Sequence, residues 1–329
     1  MNPAIPLFRT SIVAATLLTA GVSAEDSVRL VAIQATPKDA ATLRADLADP
    51  VKGARSMAID TLLKKGTVLL ADFQEADPWR QEPVKMTKIV GEIKFGGQNM
   101  KDLGVVAGIE GGKFGPVTAD ALDAEIALPG KGQTYRSYGV MGNTTVAKSG
   151  RWQERAWWGD GKDTFMLWQY ATVNAPADPA KRSETGSWDC VRVEMRWFQA
   201  AEADLAKLAQ AKPESRDKAM EWLSGKAKLW KECGFRARTG ERSMWHSLEV
   251  ELDMKDGEVI ERQDGLSLDG SFSGQGGDLK MEWDVEAFVK EKGPTSFKLT
   301  APMAPGVWVF LPVKDVANSN VVACRLSRD

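Results

Sequence analysis

The order of predicted elements recurs once along this chain of 329 residues. Residues 26–30 match residues 189–193, and each segment opens an alternating strand that is followed by a short Ala- and Leu-rich helix. A second helix then aligns without gaps, residues 54–62 on residues 215–223, and runs into another strand in both copies. We interpret the matching order as an internal duplication; the alternative is a chance recurrence of strand, helix, helix and strand.

Alternation of polar and apolar residues predicts antiparallel sheet after the helices of both copies. The predicted strands are residues 86–95, 121–128, 247–254, 258–262, 279–289, 296–300, 307–313 and 320–326. Hairpin turns are predicted at Asp160-Gly161 and Asp256-Gly257, and loops at Gly96-Gly97, Gly111-Gly112 and Gly276-Gly277. The predicted fold class is α+β: two similar modules, each made of strand, helix and helix followed by antiparallel β-hairpins.

The start of the chain has the composition of a secretory signal. Arg9 supplies a positive charge, residues 11–22 are apolar, and Val22, Ser23 and Ala24 offer a cleavage site of small residues. The predicted organisation is a signal peptide at residues 1–24, a first module at 25–173, a linker at 174–188 and a second module at 189–329. The alternative is an N-terminal membrane anchor that is never cleaved.

Charge and composition exclude several classes of function. The formal net charge of −2 gives no electrostatic case for binding nucleic acid. The apolar run of the leader is shorter than the roughly 20 residues of a membrane helix. No later run is longer, so we predict a periplasmic or secreted protein that does not span a membrane. The single histidine, His246, and the lack of a Gly-rich phosphate loop predict neither a metal nor a cofactor.

Five short segments carry a family resemblance. They are VRVEM at 191–195, AEADL at 201–205, LSGKAKL at 223–229, RTGERS at 238–243 and GDGKDTFML at 159–167. They resemble successive elements of the module at the C-terminal end of bacterial secretins, the ring proteins of type II and type III secretion. The resemblance implies two degenerate copies of an envelope β-module that can assemble with neighbours.

Three cysteines offer one candidate disulfide. An odd number in an exported protein predicts one bridge and one free thiol, or no bridge. Alternation puts Cys190 on the more polar face of its strand, whereas Cys324 shares a face with Val322 and Leu326. Cys233 and Cys324 are therefore the candidate pair, and Cys190 is predicted to be unpaired.

His246 is the first candidate for catalysis. Alternation places it on the apolar face of its strand with Leu248, Val250 and Leu252, which predicts a buried or edge histidine that makes a hydrogen bond. The alternative is the base of a catalytic triad. No Gly-x-Ser-x-Gly motif supplies the nucleophile, because Phe272 stands at that position.

Carboxylates at every second position form two rows. The rows are Glu249, Glu251 and Asp253, and Glu282, Asp284 and Glu286. On adjacent strands they could reach the separation that glycosidases use. We predict instead the solvated face of a sheet, because apolar residues alternate with them. Calcium binding is a further alternative, although no loop has the required spacing of oxygen ligands.

Tryptophan is abundant, with 12 residues in the chain. Trp152, Trp157, Trp158 and Trp168 cluster around one predicted hairpin, with Trp152 and Trp158 on one face and Trp157 on the other. Cross-strand packing is the predicted reason. The alternatives are a stacking platform for sugar rings or peptide, which makes these four the candidate binding residues, and a subunit interface.

No convincing catalytic site is predicted. The leader, the repeat and the resemblance favour an exported, non-enzymatic envelope protein with a structural or binding role through its β-modules. The predicted partners are other envelope proteins or a polysaccharide. Polar alternation argues against strands that face lipid, so we expect a monomer or a small oligomer. The alternative is a secreted protein that binds or cleaves carbohydrate with the Trp-rich hairpin and the carboxylate rows.

Overall fold

Two antiparallel sheets of eight strands each, packed face to face, make up most of the molecule. The computed structural model describes residues 26–48, 67–79, 83–114, 117–173, 190–275, 278–290, 293–316 and 319–328. The predicted leader, the predicted linker, the second helix of the first copy and Gly276-Gly277 lie outside these residues.

The described residues of the first half form eight strands and one helix. They are β1 (Ser27–Ala35), α1 (Pro37–Ala48), β2 (Val68–Ala76), β3 (Val84–Phe95), β4 (Gln98–Phe114), β5 (Val117–Pro129), β6 (Thr134–Val146), β7 (Trp152–Gly159) and β8 (Thr164–Thr172). The described residues of the second half add eight strands and two α-helices. They are β9 (Cys190–Gln199), α2 (Glu202–Ala209), α3 (Arg216–Lys226), β10 (Lys228–Arg238), β11 (Arg242–Lys255), β12 (Glu258–Gln275), β13 (Asp278–Val289), β14 (Gly293–Met303), β15 (Val309–Val316) and β16 (Ser319–Arg328).

The strand order is the same in both halves. Sheet A runs β15-β16-β9-β10-β7-β8-β1-β2, and sheet B runs β14-β13-β12-β11-β6-β5-β4-β3. Each half therefore contributes one block of four strands to each sheet, and the blocks lie side by side in the same order. The halves meet where β7 pairs with β10 in sheet A and where β6 pairs with β11 in sheet B. We call this junction the joint.

A bulge in sheet A also recurs. Leu70 is the extra residue of β2 where β1 passes from Ala32 to Ile33, and Trp230 is the extra residue of β10 at the corresponding place in β9. If the two halves are aligned by these bulges, Ile33 corresponds to Phe198. The sequence alignment of 26–30 on 189–193 would instead pair Ile33 with a residue two positions earlier in β9.

One core, lined by both halves, fills the space between the sheets. On β9, Val191, Val193, Met195 and Trp197 all face it, as alternation predicted. The outer face of sheet A is covered in two places. In the first half α1 packs there, and in the second half α2 and α3 pack there through Leu208, Met220 and Leu223. The helices thus shield the apolar outer face of one sheet.

The predicted α+β class is wrong, because the described chain is mostly β. The helices are short and cover only part of one sheet, so they do not form a layer comparable with the two sheets. The prediction also missed β4, because the pair Gly111-Gly112 indicated a loop, and it missed β6. Gly111 and Gly112 lie inside β4, where the missing side chain of Gly111 makes room for Trp79. The turns at Gly96-Gly97, Asp160-Gly161 and Asp256-Gly257 do join consecutive strands.

Two glycines have the same role in β4 and β12. Gly104 has φ +147° and lies opposite Ile89, and Gly265 has φ +143° and lies opposite Leu248. At each position a Cβ would overlap the backbone carbonyl oxygen of the facing strand. Only glycine fits, for both steric and conformational reasons.

Replacing either glycine by alanine should destabilise the fold. We expect Gly104→Ala and Gly265→Ala each to lower the free energy of unfolding by about 1–3 kcal/mol, because strain and overlap act together. Urea denaturation measures the change. Gly108→Ala is the matched control in β4, since a Cβ there lies 4.0 Å from its nearest neighbour. Equal loss in all three variants would contradict the assignment.

Candidate functional site

The single histidine lies across the joint in sheet B. His246 of β11 lies directly opposite Gly139 of β6, and its imidazole occupies the space that a side chain on Gly139 would need. A glycine at this position is therefore required for the ring to lie flat across the joint. The pairing is long: residues 134–141 of β6 pair with residues 244–251 of β11.

A polar row continues from His246 across the first half. Its Nε2 lies 2.9 Å from the hydroxyl of Ser137, which donates to a carboxylate oxygen of Glu125 at 2.6 Å. The ammonium of Lys101 donates to the same oxygen at 2.6 Å. Burial raises the pKa of Glu125, but the hydrogen bonds from Lys101 and Ser137 outweigh it and bring the pKa below its usual value.

The row differs from a catalytic triad in its order. Because the one hydroxyl proton of Ser137 goes to Glu125, the serine oxygen accepts from His246, and Nε2 carries the imidazole proton. A triad needs the histidine between the nucleophile and the carboxylate, so that the imidazole can take the hydroxyl proton. The predicted hydrogen-bonded histidine beside Leu248, Val250 and Leu252 agrees with this position, and the last two of these are buried.

Sheet A has the same ring-over-glycine contact, but here the ring comes from the first half and the glycine from the second. Trp157 of β7 lies opposite Gly234 of β10, and its indole fills the space where a Cβ of Gly234 would be. The guanidinium of Arg44, from α1, lies 4.1 Å from the centre of the Trp157 ring system. Arg44 and Arg192 each pair with the buried carboxylate of Glu154, which ties α1 and β9 to the joint.

A bulge at Arg155 explains these orientations. The extra residue shifts the phase of β7, so Glu154 faces outwards and Arg155 faces the interior. There Arg155 pairs with Asp120 and hydrogen-bonds to Asn143 and Gln169, and all four side chains are buried. Sequence patterns did not reveal this cluster, because its members lie on four different strands and only their pairing brings them together.

The four candidate binding tryptophans are all buried. Trp158 lies in the main core, whereas Trp152, Trp157 and Trp168 pack beneath α1 on the outer face of sheet A. The prediction that Trp152 and Trp158 share a face is wrong, because the bulge at Arg155 lies between them. Buried rings have no free face on which a sugar could stack.

The predicted disulfide between Cys233 and Cys324 is absent, and Cys190 is free as well. Cys233 of β10 and Cys324 of β16 both lie opposite Met195, on the two sides of β9. Two strand spacings separate them by about 9–10 Å, beyond the roughly 7 Å limit for the Cα atoms of a disulfide. Both thiols are buried, and burial raises the pKa of each. The prediction failed because β9 separates the two cysteine strands.

The two carboxylate rows are not on adjacent strands, because β12 separates β11 from β13. On β13, Glu282, Asp284 and Glu286 are exposed and alternate with buried apolar residues, as predicted for a solvated face. On β11, Glu251 and Asp253 pair with Lys290 and Arg262. The rows therefore do not provide the facing carboxylates of a glycosidase.

Each end of the sandwich has one edge strand in each sheet. At the end formed by the first half these are β2 and β3, and at the far end they are β15 and β14. Seven large apolar side chains of the described residues are exposed, and four of them lie on β2 and β3. They are Val68, Leu69, Ile89 and Val90, with exposed fractions of 51%, 38%, 45% and 63%. We call this surface the β2–β3 edge.

Cysteine chemistry gives a direct test. The protein, unfolded without reductant, should react with three equivalents of maleimide, and in the folded state all three should react slowly because they are buried. Mass spectrometry counts the adducts. A single reactive thiol in the unfolded, unreduced protein would contradict the separation of Cys233 from Cys324.

His246 should make stability depend on pH. Burial lowers the pKa of its imidazole below the ordinary 6.5, so the unfolded chain binds the proton more readily than the folded chain does. Stability should therefore fall as the pH drops below about 6.5, by at most about 1.4 kcal/mol per pH unit. Urea denaturation between about pH 7.5 and pH 5 measures this slope. His246→Gln should flatten it, whereas equal slopes in both proteins would contradict the prediction.

Comparisons with known proteins leave the family open. No family model matches this chain, and neither a curated protein nor a solved structure matches it. No helix in the described segments is long and apolar enough to cross a bilayer. Function must therefore be inferred from the residues of the joint and of the sheet edges.

Proposed function

We propose that this chain is an exported, non-enzymatic envelope protein with a structural or binding role, and that it contacts its protein partner through the β2–β3 edge. The signal-like leader and the resemblance to the secretin module support an envelope setting. The single observation that carries the proposal is the concentration of exposed apolar side chains on β2 and β3. Apolar groups gathered at one edge typically mark an interaction surface.

The joint indicates how such an edge is used. By strand order, β2 and β3 correspond to β10 and β11 of the second half. There the same edge is covered, since β10 pairs with β7 and β11 pairs with β6. A partner that adds a strand to each sheet would cover β2 and β3 in the same way, with backbone hydrogen bonds and apolar contacts together.

Charge on the edge restricts which partner fits. Lys85 and Lys88 are exposed on β3, and Val90 is the extra residue of a bulge against β4. Edge lysines and bulges oppose indiscriminate strand pairing. They favour a partner whose strand carries acidic residues beside an apolar centre, because those carboxylates would pair with the two lysines.

A photo-crosslinking amino acid at Ile89 tests the proposal in the native host. We expect irradiation to join the protein to a discrete partner at this position. The matched control is the same group at Met141, an apolar side chain of similar exposure, 51%, that lies on β6, a strand with neighbours on both sides. Adducts at Ile89 alone support the proposal; no adduct at Ile89, or equal adducts at both positions, would refute it.

A charge substitution gives the second arm of the test. Val90→Asp should reduce the yield of the Ile89 adduct by about tenfold or more, because an unpaired carboxylate would be buried in the contact. Met141→Asp should leave the yield unchanged. Circular dichroism of both purified variants shows whether the fold is kept. An undiminished adduct from folded Val90→Asp protein would count against the edge.

A further inference from the structure

The two ends of this molecule are complementary by virtue of its own repeat. The joint unites the β10–β11 edge of the second half with the β7–β6 edge of the first. Among the described strands, β2 and β3 end their sheets and correspond to β10 and β11, whereas β15 and β14 end them on the far side and correspond to β7 and β6. A second copy could therefore place its β2–β3 edge on β15–β14 and repeat the joint. Because such a contact joins unlike surfaces, it would continue into an open-ended chain of molecules.

Prolines distinguish the far edge from the joint. Pro294 and Pro302 lie on β14 and Pro312 lies on β15, all in register with the inner neighbouring strand. A proline within a paired edge strand has its nitrogen on the outer side, where a hydrogen-bond donor is lost. Pro294 and Pro302 are eight residues apart without a register shift, so both missing hydrogen-bond donors lie on the same outer edge of β14. Residues 134–141 of β6 and 156–159 of β7, which form the joint, contain no proline.

We propose that Pro294, Pro302 and Pro312 block the site at which a second copy of this chain would add its β2–β3 edge. The row of side-by-side modules therefore stops at the two modules of one chain. The proposal rests on the proposed function in one respect, since it uses the same β2–β3 edge. Because the prolines prevent β14 and β15 from pairing with β2 and β3 of another copy, the β2–β3 edge stays accessible to the partner.

A second difference limits how strongly copies could associate even without the prolines. Counting from the recurrent bulge at Leu70 and Trp230, Gln74 stands where β10 has Gly234. Counting from the residues that face Gly104 and Gly265, Thr87 stands where β11 has His246. The ring-over-glycine contacts of the joint would be missing. Association of a proline-free protein should therefore be reversible and dependent on concentration.

The test replaces the three prolines together by threonine, a residue that favours strands. Light scattering of the purified full chain should give the mass of one copy for the unchanged protein at every concentration. The triple variant should give a mass that rises steadily with concentration. Pro129→Thr is the matched control, since Pro129 lies at the end of β5, a strand with neighbours on both sides, and its mass should stay that of one copy.

Adding Ile89→Lys to the triple variant separates edge pairing from general aggregation. It should return the mass to one copy, because it places a further lysine next to Lys88 on the β2–β3 edge. A triple variant that stays a single copy, or whose association survives Ile89→Lys, overturns the proposal, as does self-association of the unchanged protein. None of these results depends on the partner, so crosslinking in the native host tests the proposed function separately.

Discussion

A ring laid over a glycine in each sheet determines how the two halves of this protein fit together. His246 crosses onto Gly139 in sheet B, and Trp157 crosses onto Gly234 in sheet A. One ring comes from each half, so the contacts act in opposite directions across the same joint. A one-residue slip of either strand would put its ring over a residue that has a side chain. The joint therefore has one register, and the continuous core between the sheets depends on it.

The joint also explains why charged side chains are buried beside it. The bulge at Arg155 turns Glu154 out towards Arg44 and Arg192, and it turns Arg155 in towards Asp120. Breaking a buried ion pair by removing one partner costs about 3–5 kcal/mol, because the other charge is left without compensation. These pairs stabilise only one arrangement of β7 against α1, β9 and the interior, and so add specificity next to the Trp157 contact.

Sequence patterns predicted the local features of the fold better than its connections. The alternation of β13 and the inward face of β9 could be recognised, because each depends on residues close together in the chain. The cysteine pair could not, since it requires knowing that β9 lies between β10 and β16. The same limit applies to the faces of Trp152 and Trp158, because one unforeseen bulge inverts the alternation between them.

Paired glycines led to a wrong prediction for a physical reason. A pair such as Gly111-Gly112 looks like a loop, yet in a sheet a missing side chain can instead admit a neighbour's ring. The residue that identifies the joint, His246, was correctly placed on an apolar face, but its partner Gly139 has no signal in the sequence. Gly139 lies 107 residues away from His246, and only the pairing of β6 with β11 makes its lack of a side chain meaningful.

Joining the halves reduces a liability that each half would have alone. A single half exposes four edge strands, two in each sheet, so two separate halves would expose eight, whereas the joined molecule exposes four. The remaining four are not equivalent. Prolines occupy β14 and β15, whereas β2 and β3 carry apolar side chains with lysines beside them. Equally strong protection at both ends would be expected if the edges were only a hazard. The uneven protection is better explained if one end is kept available for contact and the other is closed.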